Sequence, residues 1–287
     1  MQPAAFETHR AYLTRLAYRM LGSVAGAEDA VQETWLRWEA AGAPELHTPR
    51  AWLTRTCTRI CLDHLKSARV QREDYVGEWL PEPLVEGEPT PLERDETLSM
   101  ALLHTIERLR PKERAVFLLR DVFDYSFDDI AEIVQTSPAN CRQLTSRARK
   151  RLRGHPTQRA DAETHKRLGS AFFAALRTGD MVALEGMLAE DVVMVSDGGG
   201  KALAARKPVV HRRAVLRLLK AIYLRRPREF RAEERWFNGS PGTLLFEGGQ
   251  LVSAFSFDVV GGRIVHIFVQ RNPEKLNVLR TGRTQEG

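Results

Sequence analysis

Residues 126–152, SFDDIAEIVQTSPANCRQLTSRARKRL, read as two short helices around a tight turn. Ser126 and Asp129 have the spacing of a capping box, and Ser137 before Pro138 supplies an N-cap and a first helical position. Only a few residues around Thr136 separate the two helices, as a helix-turn-helix requires. On the second helix Cys141, Leu144, Ala148 and Leu152 form one apolar stripe. Arg142, Gln143, Ser146, Arg147 and Lys150 point away from it. Arg and Gln can each pair with base edges in the major groove, and Lys suits phosphates, so this is the expected reader helix.

Working outward, the basic character is segregated along the chain. No acid occurs from Ile133 to Ala160. Arg50 to Arg72 holds six basic residues against one acid, Asp63. Between these blocks, Glu73 to Glu96 holds nine acids and one base, Arg94. Two basic helical blocks joined by an acidic tether suggest two footprints on a polyanion. On the helix that starts at Pro49, Arg55, Arg59, Lys66 and Arg69 fall on one stripe, opposite Leu53, Cys57, Ile60, Cys61 and Leu65. A solvated face would normally mix acids into such a stripe. Two more helices precede it, Phe6 to Leu21 and Ala25 to Ala40. The tether contains Pro81, Pro83 and Pro89, as a linker does, yet Tyr75 to Leu84 is aromatic and apolar enough to dock on something.

Four helices fit between Leu92 and Leu152. Beyond Arg159 two helices, Glu163 to Arg177 and Met181 to Leu188, lead to an alternating stretch, Val192 to Ser196. A helix from Arg212 to Leu224 and four strands follow, near Phe230–Phe237, Thr243–Phe246, Gln250–Val259 and Arg263–Gln270. Gly239, Gly248-Gly249 and Gly261-Gly262 separate the strands. That order implies an α+β domain.

The 287 residues suit two or three domains, and 43% hydrophobic with 28% charged residues describes ordinary globular protein. No apolar run reaches membrane-spanning length, and the first ten residues lack a secretory pattern, so a cytoplasmic protein without a membrane partner is expected. Cys57, Cys61 and Cys141 do not complete a metal-ligand spacing with His64. They read as buried small residues in a reducing compartment, so neither a metal nor another cofactor is expected.

Both basic blocks occur in the order and spacing of the extracytoplasmic-function sigma factors, the bacterial RNA polymerase specificity subunits that residues 5 to 155 resemble. Ala27-Glu28-Asp29-Ala30-Val31-Gln32-Glu33-Thr34-Trp35-Leu36-Arg37 resembles their polymerase-clamp-binding helix. Pro49-Arg50-Ala51-Trp52-Leu53-Thr54-Arg55 through Asp63-His64-Leu65 is similar to the helix recognising the minus-ten element. Ser146-Arg147-Ala148-Arg149-Lys150-Arg151-Leu152 resembles the end of the minus-thirty-five reader. The resemblance implies core polymerase and promoter DNA as partners. It makes Asp29, Gln32, Glu33 and Trp35 candidates for clamp contact, and adds Trp52 to the DNA-binding candidates. Either tryptophan can equally be core. Melting ten base pairs costs on the order of 14 kcal/mol, whereas capturing unstacked bases returns about 1–3 kcal/mol each. So small a domain needs the polymerase to open DNA.

Residues 160 to 280 resemble a SnoaL-like domain, the cone-shaped fold shared with ketosteroid isomerases. The implied architecture is two all-α sigma domains, the second with the helix-turn-helix, followed by this α+β cone. The expected boundaries are 1–72, a linker at 73–91, 92–155 and 160–280. Trp79-Leu80-Pro81-Glu82-Pro83, Asp197-Gly198-Gly199-Gly200-Lys201 and Asn272-Pro273-Glu274-Lys275-Leu276 match a subgroup of sigma factors in which the extension regulates in cis, without a separate anti-sigma protein. Trp79, Leu80, Pro81, Asp197 to Lys201, Asn272 and Pro273 are therefore candidates for a regulatory contact. Read by itself, Asp197 to Lys201 is a glycine turn open to close backbone approach, and it lacks the P-loop residues. Sensing of an unidentified small molecule stays open for this domain. So does catalysis by one of Asp191, Asp197, Glu247, Asp258, His211 or His266, although no pair converges by spacing. A conventional helix-turn-helix regulator is the remaining alternative, and it leaves Val31 to Arg72 unexplained.

Overall fold

The computed structural model describes residues 2–42, 48–73, 75–86, 98–152, 160–225 and 230–280. The chain divides into two compact units, Met1–Asp74 with Leu102–Gly154, and Tyr75–Ala101 with His155–Gly287. The expected boundaries at residues 91, 92 and 155 lie outside the described residues.

In the first unit, α1 (Gln2–Leu21), α2 (Val24–Ala40) and α3 (Pro49–Glu73) pack around Phe6, Leu13, Leu16, Met20, Trp38, Leu53 and Ile60. Gly22, in the left-handed region at φ 67°, ends α1, and Ser23 caps α2 by accepting a hydrogen bond from the Gly26 amide at 3.2 Å. Cys57 and Cys61 lie fully inside this bundle. A hydrogen bond with Cys57, then burial, pushes the Cys61 thiol well up, so it stays protonated and inert.

The same unit contains α4 (Met100–Ile106), of which Met100 and Ala101 count with the second unit, then α5 (Pro111–Phe117) and a π-helical turn at Leu118–Val122. The helix-turn-helix follows as α6 (Phe127–Val134) and α7 (Pro138–Leu152). Ser126 Oγ accepts from the Asp129 amide at 3.1 Å, Gln135 turns the chain at φ 52°, and Ser137 Oγ accepts from the Asn140 amide at 3.2 Å. Both caps are thus formed. Ser137→Ala should lower the stability of α7 by about 1 kcal/mol, read as an earlier urea midpoint by circular dichroism.

The second unit is a curved sheet wrapped over helices. Strands β1 (Val85–Glu86), β2 (Leu188–Asp197), β3 (Val209–Val210), β4 (Phe230–Phe237), β5 (Ser240–Glu247), β6 (Gln250–Val260) and β7 (Arg263–Gln270) lie in the order β1-β4-β5-β6-β7-β2-β3. Among the described residues only the β2–β7 pair is parallel. The three hairpin turns, Asn238-Gly239, Gly248-Gly249 and Gly261-Gly262, all have positive φ at both residues, the requirement of a two-residue turn matched to strand twist. Helices α8 (Ala162–Thr178), α9 (Met181–Met187) and α10 (Arg212–Arg225) cover the inner face. Phe172, Phe173, Met194, Leu219, Phe255 and Ile267 build its core. This is the α+β domain implied by the order of its helices and strands. The sequence missed β1, β3, the π-helical turn and the terminal helix α11 (Pro273–Arg280). The two strands of two residues and the five-residue turn are too short to show a period of their own.

Candidate nucleic-acid interface and linker-docking site

Helix α7 turns Cys141, Leu144 and Ala148 inward and leaves Arg142, Gln143, Ser146, Arg147 and Lys150 exposed. The Arg142 guanidinium lies 5.3 Å from the centre of the Phe127 ring, which braces it from the first helix of the motif. The two arginines outside the expected reader set are tied down. Arg149 pairs with Asp121 at 2.6 Å, and Arg151 pairs with the buried Glu113 at 2.5 Å.

The α3 stripe is engaged differently. Arg55 pairs with Glu132 of α6 at 2.8 Å, and Arg59 donates to the backbone oxygens of Ile133 and Glu132, each at 3.2 Å. Arg59 thus satisfies carbonyls at the C-terminal end of α6 that the helix cannot satisfy itself. Lys66 pairs with Asp63 at 2.7 Å, and the Arg69 side chain lies outside the described residues. Beside this contact Thr54 Oγ1, Tyr12 Oη and Tyr125 Oη meet at 2.9–3.2 Å. Burial, more than its neighbours, raises the Tyr12 phenol far above its ordinary value, so it remains a neutral hydroxyl. None of these α3–α6 partners was legible, because they are about seventy residues apart in sequence and carry no shared motif.

On α2, Asp29 and Gln32 are exposed, while Glu33 pairs with Arg37 at 2.6 Å and lies 3.9 Å from His64. Trp35 sets its ring edge-on against Phe6 at 4.9 Å, and Trp52 does the same against the buried Trp38 at 5.3 Å. Both indoles are half-buried, so each packs on the core and keeps part of its ring accessible.

In the second unit the linker cluster is docked. Side chains alternate along β2, so Met194 and Ser196 face the cone interior while Val193, Val195 and Asp197 face the other way. Leu80, Met100 and Ala101 pack there against Val195 and Phe268. Asp197 is fully buried and accepts from Tyr75 Oη at 2.6 Å, the Leu80 amide at 2.9 Å, the Gly199 amide at 3.0 Å and Lys275 Nζ at 2.7 Å. Lys275 Nζ also donates to the Leu80 carbonyl at 2.6 Å and sits 3.9 Å over the Trp79 ring. Asn272 donates to Tyr75 Oη at 3.0 Å. Burial and the Asp197 carboxylate together hold the Tyr75 phenol far above its usual range. Pro81 is buried, Pro273 opens α11, and Lys201 pairs with Glu274. Trp79, Leu80, Asp197 and Asn272 thus come together, and Lys275, Tyr75 and Gln270 join them although they were not among the expected site residues.

The glycine run is required by this packing. A side chain at Gly198 would meet the Ala202 carbonyl at 2.2 Å, one at Gly199 the Asn272 amide at 2.3 Å, and one at Gly200 would crowd Val76 at 3.2 Å. Gly199→Ala also forces alanine to φ +58°. A strain of about 1–3 kcal/mol raises the open population on the order of tenfold, so chymotrypsin should cleave after Tyr75 or Trp79 that much faster.

Of the acids and histidines considered for catalysis, Asp197 belongs to this latch, and Asp191 and His211 are exposed. Asp258 and His266 approach to 3.2 Å on the sheet face opposite the cavity, and Glu247 stands at the cavity rim. Among the described residues no group of three metal-ligating side chains converges, and no helix is long and apolar enough to cross a membrane.

Residues 5–70 match the family model for sigma-70 region 2, and residues 99–152 match that for sigma-70 region 4. With the relatives below, this establishes that the chain belongs to the extracytoplasmic-function RNA polymerase sigma factors. It is 41% identical over 216 residues to ECF RNA polymerase sigma factor SigJ of Mycobacterium tuberculosis, covering 73% of this chain and 69% of that one. It is 31% identical over 289 residues to the probable ECF sigma factor SigI of the same species, covering 96% and 95%. The crystal structure of the M. tuberculosis SigJ protein superposes with a TM-score of 0.74 at 31% identity, over 96% of this chain and 98% of that one. The chain is therefore a transcription initiation factor, which acts with core RNA polymerase on promoter DNA.

Proposed function

We propose that the C-terminal unit inhibits this sigma factor in cis by holding the linker, in the cytoplasm where polymerase and promoter meet, with no separate anti-sigma protein needed. In this reading α7, through Arg142, Gln143, Ser146, Arg147 and Lys150, reads the minus-thirty-five element. Trp52, Arg55, Arg59, Lys66 and Arg69 serve the minus-ten element, and Asp29, Gln32, Glu33 and Trp35 meet the polymerase. The C-terminal unit acts by contact and not by catalysis. What carries the inhibitory reading is Asp197, whose buried carboxylate takes Tyr75, the Leu80 amide and Lys275 at once.

The geometry of a promoter supplies the direction of the effect. Elements twenty-five base pairs apart are separated by about 85 Å at 3.4 Å per pair. Unlatched, the chain from Glu73 to Met100 can span up to about 90 Å. Latched, Leu80 and Met100 belong to one apolar cluster, so the residues between them add nothing to the reach. Arg55 and Arg59 on α3 are meanwhile bonded to α6. Binding both elements thus requires the linker to leave its site and α3 to part from α6. Donor and acceptor dyes on α3 and α7 of the full chain should move apart when core polymerase and promoter are added, and an unchanged transfer efficiency would contradict the closed-to-open step.

A further inference from the structure

The cone encloses a cavity of about 390 Å³ that the latch does not use. Its walls are apolar, with Met194, Leu219, Leu245 and Phe255 among them. Two side chains break that pattern. Ser196 and Ser253 line the cavity and are 96–99% buried, with relative exposures of 4% and 1%. Two hydroxyls set in one apolar wall offer hydrogen-bonding partners to a ligand oxygen that the rest of the wall cannot supply. At the rim stand Arg177 and Arg271 against one acid, Glu247. The volume lies within the range of small-molecule sites, which are likewise apolar with a few placed polar groups.

The cavity is also wired to the latch by sequence adjacency. Ser196 faces the cavity and Asp197, the next residue, faces the linker. Gln270 donates to Asp197 at 3.4 Å, while Arg271 lines the cavity and its amide donates to the Asp197 carbonyl at 2.7 Å. The loop that begins with Gly198 to Lys201 under the linker continues as Leu203, Ala204 and Ala205 in the cavity wall, with Arg271 bonded to the Leu203 carbonyl. A ligand that draws on Ser196 or Arg271 must therefore act on the two strand ends and the loop that position Asp197.

We propose that this cavity binds an amphipathic carboxylic acid, its hydrocarbon body among the apolar walls and its oxygens on the serine hydroxyls and rim guanidiniums, and that occupancy changes how firmly the linker is latched. This rests on the cis-regulatory reading above. Only the second half of the proposal depends on it.

Decanoate, with decanol as the uncharged control, is the probe. The full chain should bind one equivalent of decanoate saturably by calorimetry, at least tenfold more tightly than decanol, and the rate of chymotryptic cleavage after Tyr75 or Trp79 should change at least threefold at saturation. Ser253→Leu fills the cavity and should abolish binding. Ser196→Ala, which cannot disturb packing, should weaken it several-fold and serves if Ser253→Leu does not fold. Absent binding, or binding that Ser196→Ala and Ser253→Leu leave untouched, overturns the site. Binding with an unchanged cleavage rate overturns the coupling. Failure of the latch reading itself is seen separately, without decanoate, in the transcription of latch variants.

Discussion

Asp197→Ala is expected to destabilise the C-terminal unit by about 3–5 kcal/mol, because it leaves the Lys275 ammonium buried without its counter-charge. The Tyr75 hydroxyl and the Leu80 amide lose an acceptor in the same step. Asp197→Ala with Lys275→Met should recover part of that loss, since an apolar pair of similar volume avoids the desolvation of two ions. The recovery stays incomplete because the Leu80 amide and Tyr75 remain unsatisfied. Urea unfolding of the four members of this cycle measures it, and additive single effects would mean that Asp197 and Lys275 do not act as a pair. Chymotrypsin should meanwhile find the linker open in Asp197→Ala.

The second large effect lies at the reader helix. Arg142→Ala and Arg147→Ala each remove a side chain able to make paired hydrogen bonds to a base, worth about 1–3 kcal/mol, or roughly five- to 150-fold in promoter selectivity. Both side chains are exposed and reach no core residue, so unfolding midpoints should hold within error. Lys150→Ala should instead weaken binding to all sequences alike and reduce the salt slope by about one. Equal loss on specific and random DNA for the arginine variants would move them into the phosphate-contact class.

What could be read from the sequence and what could not divides along the range of the interactions. Ser126, Ser137, the α7 stripe and the glycine hairpins are local signals. A cap or a turn is decided by neighbours three or four residues away, and the structure bears them out. The glycines at 198–200 were legible as room for a close approach, and Val76 and Asn272 fill that room. Lys275 stood in the matched stretch from Asn272 to Leu276 but was not among the expected site residues, because by itself it reads as a solvated lysine. Its burial depends on Trp79 and Leu80, about 195 residues earlier. Arg55 and Arg59 show the converse limit. Their shared stripe was visible, but Glu132 and the end of α6, which hold them in the free chain, are brought there by the fold alone. The cavity hydroxyls of Ser196 and Ser253 gave no sequence signal, since serine inside a strand is unremarkable until its neighbours are known.

The decisive measurement is promoter-specific transcription in vitro with bacterial core polymerase on a library of DNA fragments. It would compare the full chain, the reader variant Arg142→Ala/Arg147→Ala and the latch variant Trp79→Ala/Leu80→Ala. Core-dependent specific transcripts from the full chain, their loss in the reader variant and a several-fold increase in the latch variant are the expected results. A latch variant with unchanged or lower transcription would contradict inhibition through the linker.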